Sequence, residues 1–140
     1  MAFELTIVTP EGQSYDGTVD NVVLPGSEGE FGVLEGHERL LSALKPGPVE
    51  MVGGSAGDRA WAAVTHGFVE VTGERVVVLV DHCMLADAID ADEAESERAA
   101  AVEELRSLSG AEENDTRRSE LEQIVAISEA RIEVASRARS

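Results

Sequence analysis

Gly26-Ser27-Glu28-Gly29-Glu30-Phe31-Gly32, continued through Val33-Leu34-Glu35-Gly36-His37 to Leu40-Leu41-Ser42-Ala43-Leu44-Lys45-Pro46-Gly47, is the stretch whose reading decides the fold. Glycines at 26, 29 and 32 are spaced by three and allow positive φ at each turn. Phe31, Val33 and Leu34 predict a short strand, Leu40 to Leu44 a second one, and Lys45-Pro46-Gly47 a turn that closes it. The segment therefore reads as tightly turned β-structure with a polar tip from Glu35 to Arg39.

The same grammar extends on both sides. Phe3-Glu-Leu-Thr-Ile alternates apolar and polar residues, the period of a half-buried strand, and Pro10-Glu11-Gly12 ends it. Tyr15 to Leu24 predicts one strand region bent at Gly17. Val49-Glu-Met-Val, Ala60 to Thr65, Phe68-Val-Glu-Val and Val76 to Val80 follow, with turns at Gly53-Gly54, His66-Gly67 and Thr72-Gly73-Glu74. Short Val-rich strands with turns at such close spacing predict a β-sandwich or flattened barrel.

Near residue 86 the composition changes. All four prolines, and every glycine except Gly110, lie before residue 74. Beyond it the chain turns to Ala, Glu, Asp, Arg and Leu, the composition of helix. Asp90 or Asp92 predicts the cap of a first helix running to Ser109, with Gly110 as its stop. Asn114 or Asp115 caps a second helix that reaches Arg137, with Leu121, Ile124, Val125, Ser128, Ile132 and Ala135 as its apolar stripe. The short connection predicts an antiparallel two-helix hairpin. The fold class is thus α+β, with a β-sandwich domain over residues 1–86 and a helical hairpin over 87–140. So thin a stripe gives the hairpin little core of its own. It has to dock on the sandwich or on another protein, which makes it either a switch or a fixed appendage.

Charge narrows the class of partner. Lys and Arg number 11 against 28 Asp and Glu, a formal net charge of -17, and both halves are acidic. Such a surface repels nucleic-acid phosphates and anionic lipid heads, and favours basic partners. Aromatics are 4% of the chain, so its core is aliphatic. No apolar run approaches the roughly 18 residues of a membrane span, no signal-peptide pattern opens the chain, and Cys83 alone cannot form an internal disulfide. The expected protein is peripheral to any membrane and binds no nucleic acid.

The titratable residues assemble no active site. Asp81 and His82 read as a polar pair at a strand end, because no nucleophile accompanies them. Glu35, His37 and Glu38 share one turn without the spacing of a metal site. Gly26 to Gly32 lacks the Lys-Ser/Thr of a phosphate loop and contains two acids. Cys83 follows an apolar strand and reads as core. No catalytic residue, cofactor or metal is expected. The residues alone describe an acidic β-sandwich with a helical hairpin, either a subunit or a stand-alone binding module.

The ordered string Gly-Ser-Glu-Gly-Glu-Phe-Gly, Gly-His and Leu-Leu-x-x-Leu-Lys-Pro-Gly, together with the Phe-Glu-Leu-x-Ile-Val-x-Pro-Glu start and the charged helical tail, resembles the epsilon subunit of the F-type ATP synthase. The resemblance implies a sandwich-plus-hairpin fold. It also implies a place on the rotating central stalk, at the cytoplasmic face of the plasma (inner) membrane, coupling proton-driven rotation to ATP synthesis. The implied partners are the gamma subunit, the polar loops of the c-ring and, when the hairpin extends to inhibit hydrolysis, the alpha/beta hexamer. Glu30 matches the family acid that faces the c-ring, and His37 the histidine that contacts gamma; Glu35 and Glu38 flank His37 where the family more often has Pro and Ala-Pro. Arg117, Arg118, Arg131 and Arg137 are the candidate regulatory cations of the hairpin. The family's ATP-binding pattern Ile/Leu-Asp-x-x-Arg-Ala falls on Ile89 to Ala94, with Glu93 in place of arginine, and its second-helix basic positions fall on Val125 and Glu129.

Overall fold

The computed structural model describes residues 2–53, 58–108, 110 and 114–139. Its strands are β1 (Phe3–Thr9), β2 (Gly12–Val19), β3 (Asn21–Gly26), β4 (Gly29–Leu34), β5 (Leu40–Leu44), β6 (Gly47–Gly53), β7 (Asp58–Val64), β8 (Gly67–Val71), β9 (Arg75–Val80) and β10 (Cys83–Leu85). A 3-10 turn (Ala86–Ala88) leads to α1 (Ala91–Ser107) and α2 (Asp115–Ala138). The α+β class is therefore observed, with a nearly closed β-sandwich followed by two helices.

Hydrogen bonding runs β10-β7-β6-β3-β5-β8-β9-β1-β2, with β4 attached to β3. Among the described residues only β1 and β9 pair in parallel; the register sets Leu5 against Val76 and Ile7 against Val78. β3 touches β5 at a single pair, Gly26 with Leu44, so the sheet folds there into two layers. Asp20 N–H donates to the Val52 carbonyl at 2.7 Å and draws the far edge back towards β6.

Alternation fills the space between the layers. Leu5, Ile7, Val22, Leu24, Val49, Ala62, Val69 and Val78 are all fully buried. Their intervening neighbours point outward, as period 2 requires. Branched aliphatics supply nearly all of this core, as the low aromatic content demands.

Several local expectations are corrected. The strand region from Tyr15 to Leu24 divides at Asp20 into β2 and β3. Gly17 lies inside β2 opposite Leu5 instead of bending it, and the Tyr15 ring occupies the space a side chain would need. In the opening segment positive φ occurs at Gly29 (139°) and Gly36 (80°), not at Gly26 or Gly32. Gly26 serves a different end: a Cβ there would meet the Gly29 carbonyl oxygen at 2.5 Å and the Phe31 ring at 2.9 Å.

The first helix begins where side-chain chemistry predicts. Asp90 caps α1, its carboxylate accepting from Glu93 N–H at 3.1 Å. α1 ends at Ser107, and Ser109, the predicted end, lies outside the described residues. Asn114 is the N-cap position of α2. Ion pairs from Arg117 to Glu104 and from Arg131 to Glu97 run in opposite chain directions along the two helices, so the hairpin is antiparallel.

The predicted apolar stripe of α2 is half right. Leu121, Ser128 and Ala135 are buried, while Ile124 is 37% exposed. Ala130 and Val134, outside the stripe, are buried against Ala63 of β7, with Trp61, Ala86 and Ile89 beside them. α2 therefore carries two contact faces, one for α1 and one for the sandwich, where a single-seam hairpin would need only one.

Candidate partner interface

The predicted contact residues occupy the two ends of β4. Glu30 is exposed beside the β3–β4 turn, where Gly26 faces Gly29. Glu35 and Glu38 are exposed, and His37 half-buried, in the loop that leaves the other end of the strand. At about 3.3 Å per residue, the five steps from Glu30 to Glu35 separate these ends by roughly 16 Å. The structure thus gathers Glu35, His37 and Glu38 but leaves Glu30 apart.

Local chemistry sets the shape of that loop. Gly36 takes the left-handed conformation that permits the turn. His37 N–H donates to the Leu34 carbonyl at 3.2 Å, and its Nδ1 lies 2.8 Å from the Glu38 carbonyl. The imidazole is held against the backbone, and His37 lines a shallow crevice with Phe3, Val71 and Arg75. Among the described residues no group of His, Cys, Asp and Glu is arranged to hold a metal ion.

A second feature went unnoticed in the sequence. Ala43, Phe68, Leu79 and Val8 stand in one register row across β5, β8, β9 and β1. Phe68 and Leu79 are 56% and 50% exposed, and Leu41 on the same side of β5 is 69% exposed. Ala43 and Val8 are half-buried, and Phe68 and Leu79 stay uncovered because the hairpin packs on β6 and β7, in the other layer of the sandwich. Alternation in Phe68-Val-Glu-Val puts Val69 and Val71 inside and Phe68 with Glu70 outside, but it does not say whether another element covers Phe68. Contiguous exposed apolar surface of this kind marks an interaction site.

The four candidate regulatory arginines, Arg117, Arg118, Arg131 and Arg137, are all engaged within the chain. Arg117 donates to both carboxylate oxygens of Glu104, at 2.6 and 2.9 Å, and to Glu120 at 3.1 Å. That guanidinium holds the Glu104 carboxyl below its ordinary range, and the two acids raise the pKa of Arg117. Arg118 pairs with Asp115 at 2.8 Å, Arg131 with Glu97 at 3.9 Å and Arg137 with Glu133 at 2.6 Å. Exposed pairs of this type contribute little stability, which leaves them free to exchange partners.

The remaining titratable groups sort themselves structurally. Asp81 pairs with His66 at 3.4 Å, not with its neighbour His82 as the sequence suggested; strand geometry places His66 and Asp81 together at one end of β8 and β9. His82 instead donates its backbone N–H to the Thr65 hydroxyl at 3.0 Å. Cys83 packs against the core, and burial pushes its thiol up to about 11. On α1, Asp90 is committed to the cap and Glu93 is exposed, while Glu129 of α2 accepts from Arg98 at 3.1 Å.

Residues 2–86 match the family described as ATP synthase, Delta/Epsilon chain, beta-sandwich domain. The ATP synthase epsilon chain of Campylobacter fetus subsp. fetus is 42% identical over 135 residues, covering 96% of both chains. That of Magnetococcus marinus is 41% identical over 85% of this chain and 86% of its own. A chain of the Euglena gracilis mitochondrial ATP synthase shares the fold with a TM-score of 0.80 at 23% identity, covering 96% of this chain and 81% of that one. On the sandwich match and on these full-length identities, the chain belongs to the ATP synthase epsilon chain family.

Proposed function

We propose that this chain is a non-catalytic subunit on the central stalk of a rotary ATP synthase, where it couples proton-driven rotation to ATP synthesis. The observation that carries this assignment is the row Ala43, Phe68, Leu79 and Val8, an apolar surface suited to a permanent protein partner. Residues 1–86 grip the gamma subunit. Glu30, Glu35, His37 and Glu38 add polar contacts to gamma or to the polar loops of the c-ring. Residues 87–140 form a regulatory hairpin. When it extends towards the alpha/beta hexamer, Arg117, Arg118, Arg131 and Arg137 exchange their carboxylates within the chain for acids of the hexamer, and hydrolysis slows. The complex places the chain at the cytoplasmic face of the plasma (inner) membrane without insertion; no helix among the described residues is long and apolar enough to cross one.

Co-expression with the gamma subunit and the c-ring tests the assignment. The intact chain co-purifies with them, and Phe68→Ser combined with Leu79→Ser abolishes the association while the isolated chain still folds. Deleting the residues after Asp87 leaves assembly intact and raises ATP hydrolysis by the complex. An intact chain that fails to associate refutes the assignment, and unchanged hydrolysis refutes the regulatory part of it.

A further inference from the structure

Ser128 is 1% exposed, and its hydroxyl finds no hydrogen-bond partner among the described residues. Its position on α2 says what it faces. At about 100° per residue, Leu121, Ser128 and Ala135 fall within roughly 40° of one another. Ala130 and Val134, which pack on Ala63 of the sandwich, lie well over 90° away by the same count. Ser128 therefore faces α1, whose own buried residues are Ala94 and Ala101. Ion pairs from Arg98 to Glu129 and from Arg131 to Glu97 close over the seam on either side of it.

We propose that Ser128 is a built-in weak point that keeps α1 and α2 ready to part. Closing the seam strips water from the hydroxyl and returns no hydrogen bond, a loss unique to the closed state. Opening restores that bond to water. Beside Ser128 the opposition to opening is modest, because the fully buried residues of α1 are alanines, with Leu105 half-buried further along the seam, and the ion pairs across it are partly solvated. This deepens the regulatory role proposed above and rests on it for its biological use, though not for its physics.

Hydrogen–deuterium exchange on the full-length chain tests it. Ser128→Ala removes the hydroxyl without adding volume, and Ser119→Ala, on the exposed side of α2, carries the same gain in helix propensity without any burial. Ser128→Ala slows exchange of the α2 amides by about tenfold or more beyond the Ser119→Ala control. Equal slowing in the two variants, or faster exchange in Ser128→Ala, overturns the proposal. The two levels separate cleanly. Tightening by Ser128→Ala with hydrolysis unmoved by hairpin deletion defeats only the regulatory role. The opposite pattern defeats only the weak point.

Discussion

The guanidinium carbon of Arg137 lies 5.3 Å from the centroid of the Trp61 ring, which ties the last turns of α2 to β7. Glu133 also holds the same guanidinium at 2.6 Å. Trp61 is the only tryptophan in the chain, so its emission reports directly on the docked hairpin.

Replacing Arg137 by Gln removes the cation and weakens docking by about 0.5–1 kcal/mol, the value of a partly exposed cation–π contact. Trp61 emission shifts and becomes more accessible to a soluble quencher. An unchanged spectrum and unchanged quenching mean that the contact holds nothing.

One ion pair across the hairpin responds to acid through Glu104, a small contribution because the pair is solvated. Its folded carboxyl titrates below its ordinary value because Arg117 donates to the ionised form. The stabilisation is therefore fully present above the ordinary carboxylate value and is lost as pH falls through the depressed one. Acid titration of the helical signal shows a component in that window that Glu104→Gln lacks. Superimposable titrations of the two proteins contradict the linkage.

Gly67 starts β8 with its α-carbon pressed against the backbone of Leu79, and a Cβ there would overlap the Leu79 carbonyl. Neither backbone can yield without disturbing the β8–β9 ladder. Gly67→Ala costs about 1–3 kcal/mol in thermal or denaturant unfolding. Gly73→Ala, where a Cβ meets nothing within 4 Å, is the paired control. Equal stability of the two variants would falsify the close approach.

The expected outcome for ATP is weak binding to this hairpin. Glu93 stands where the family's ATP-binding pattern has arginine, and Glu129 stands at a second basic position with Arg98 already on it. Carboxylates at these places repel a triphosphate. Isothermal titration finds no sub-millimolar affinity, and a measured one would mean that ATP is held elsewhere or by other groups.

Much of this protein was legible in one dimension. Period-2 alternation in Phe3-Glu-Leu-Thr-Ile and in Phe68-Val-Glu-Val fixes which residues share a face, because successive strand side chains must point to opposite sides. Asp90 announces the start of α1, since a carboxylate at that point satisfies an otherwise unpaired N–H. The ordered motif from Gly26 to Gly47 carries the family.

Other features depend on residues far apart in the chain. Strand order put Ala43, Phe68, Leu79 and Val8 into one row and left Phe68 and Leu79 uncovered, a relation between four segments that no local pattern encodes. The second contact face of α2, through Ala130 and Val134, exists only because the hairpin folds back on β7. Asp81 meets His66 rather than His82 for the same reason: pairing across a sheet brings distant residues closer than neighbours whose side chains diverge. The sequence by itself determined the elements, the core faces and the family. Tertiary structure decided which apolar face is covered and where each charge finds its partner, because both depend on which elements come to lie side by side.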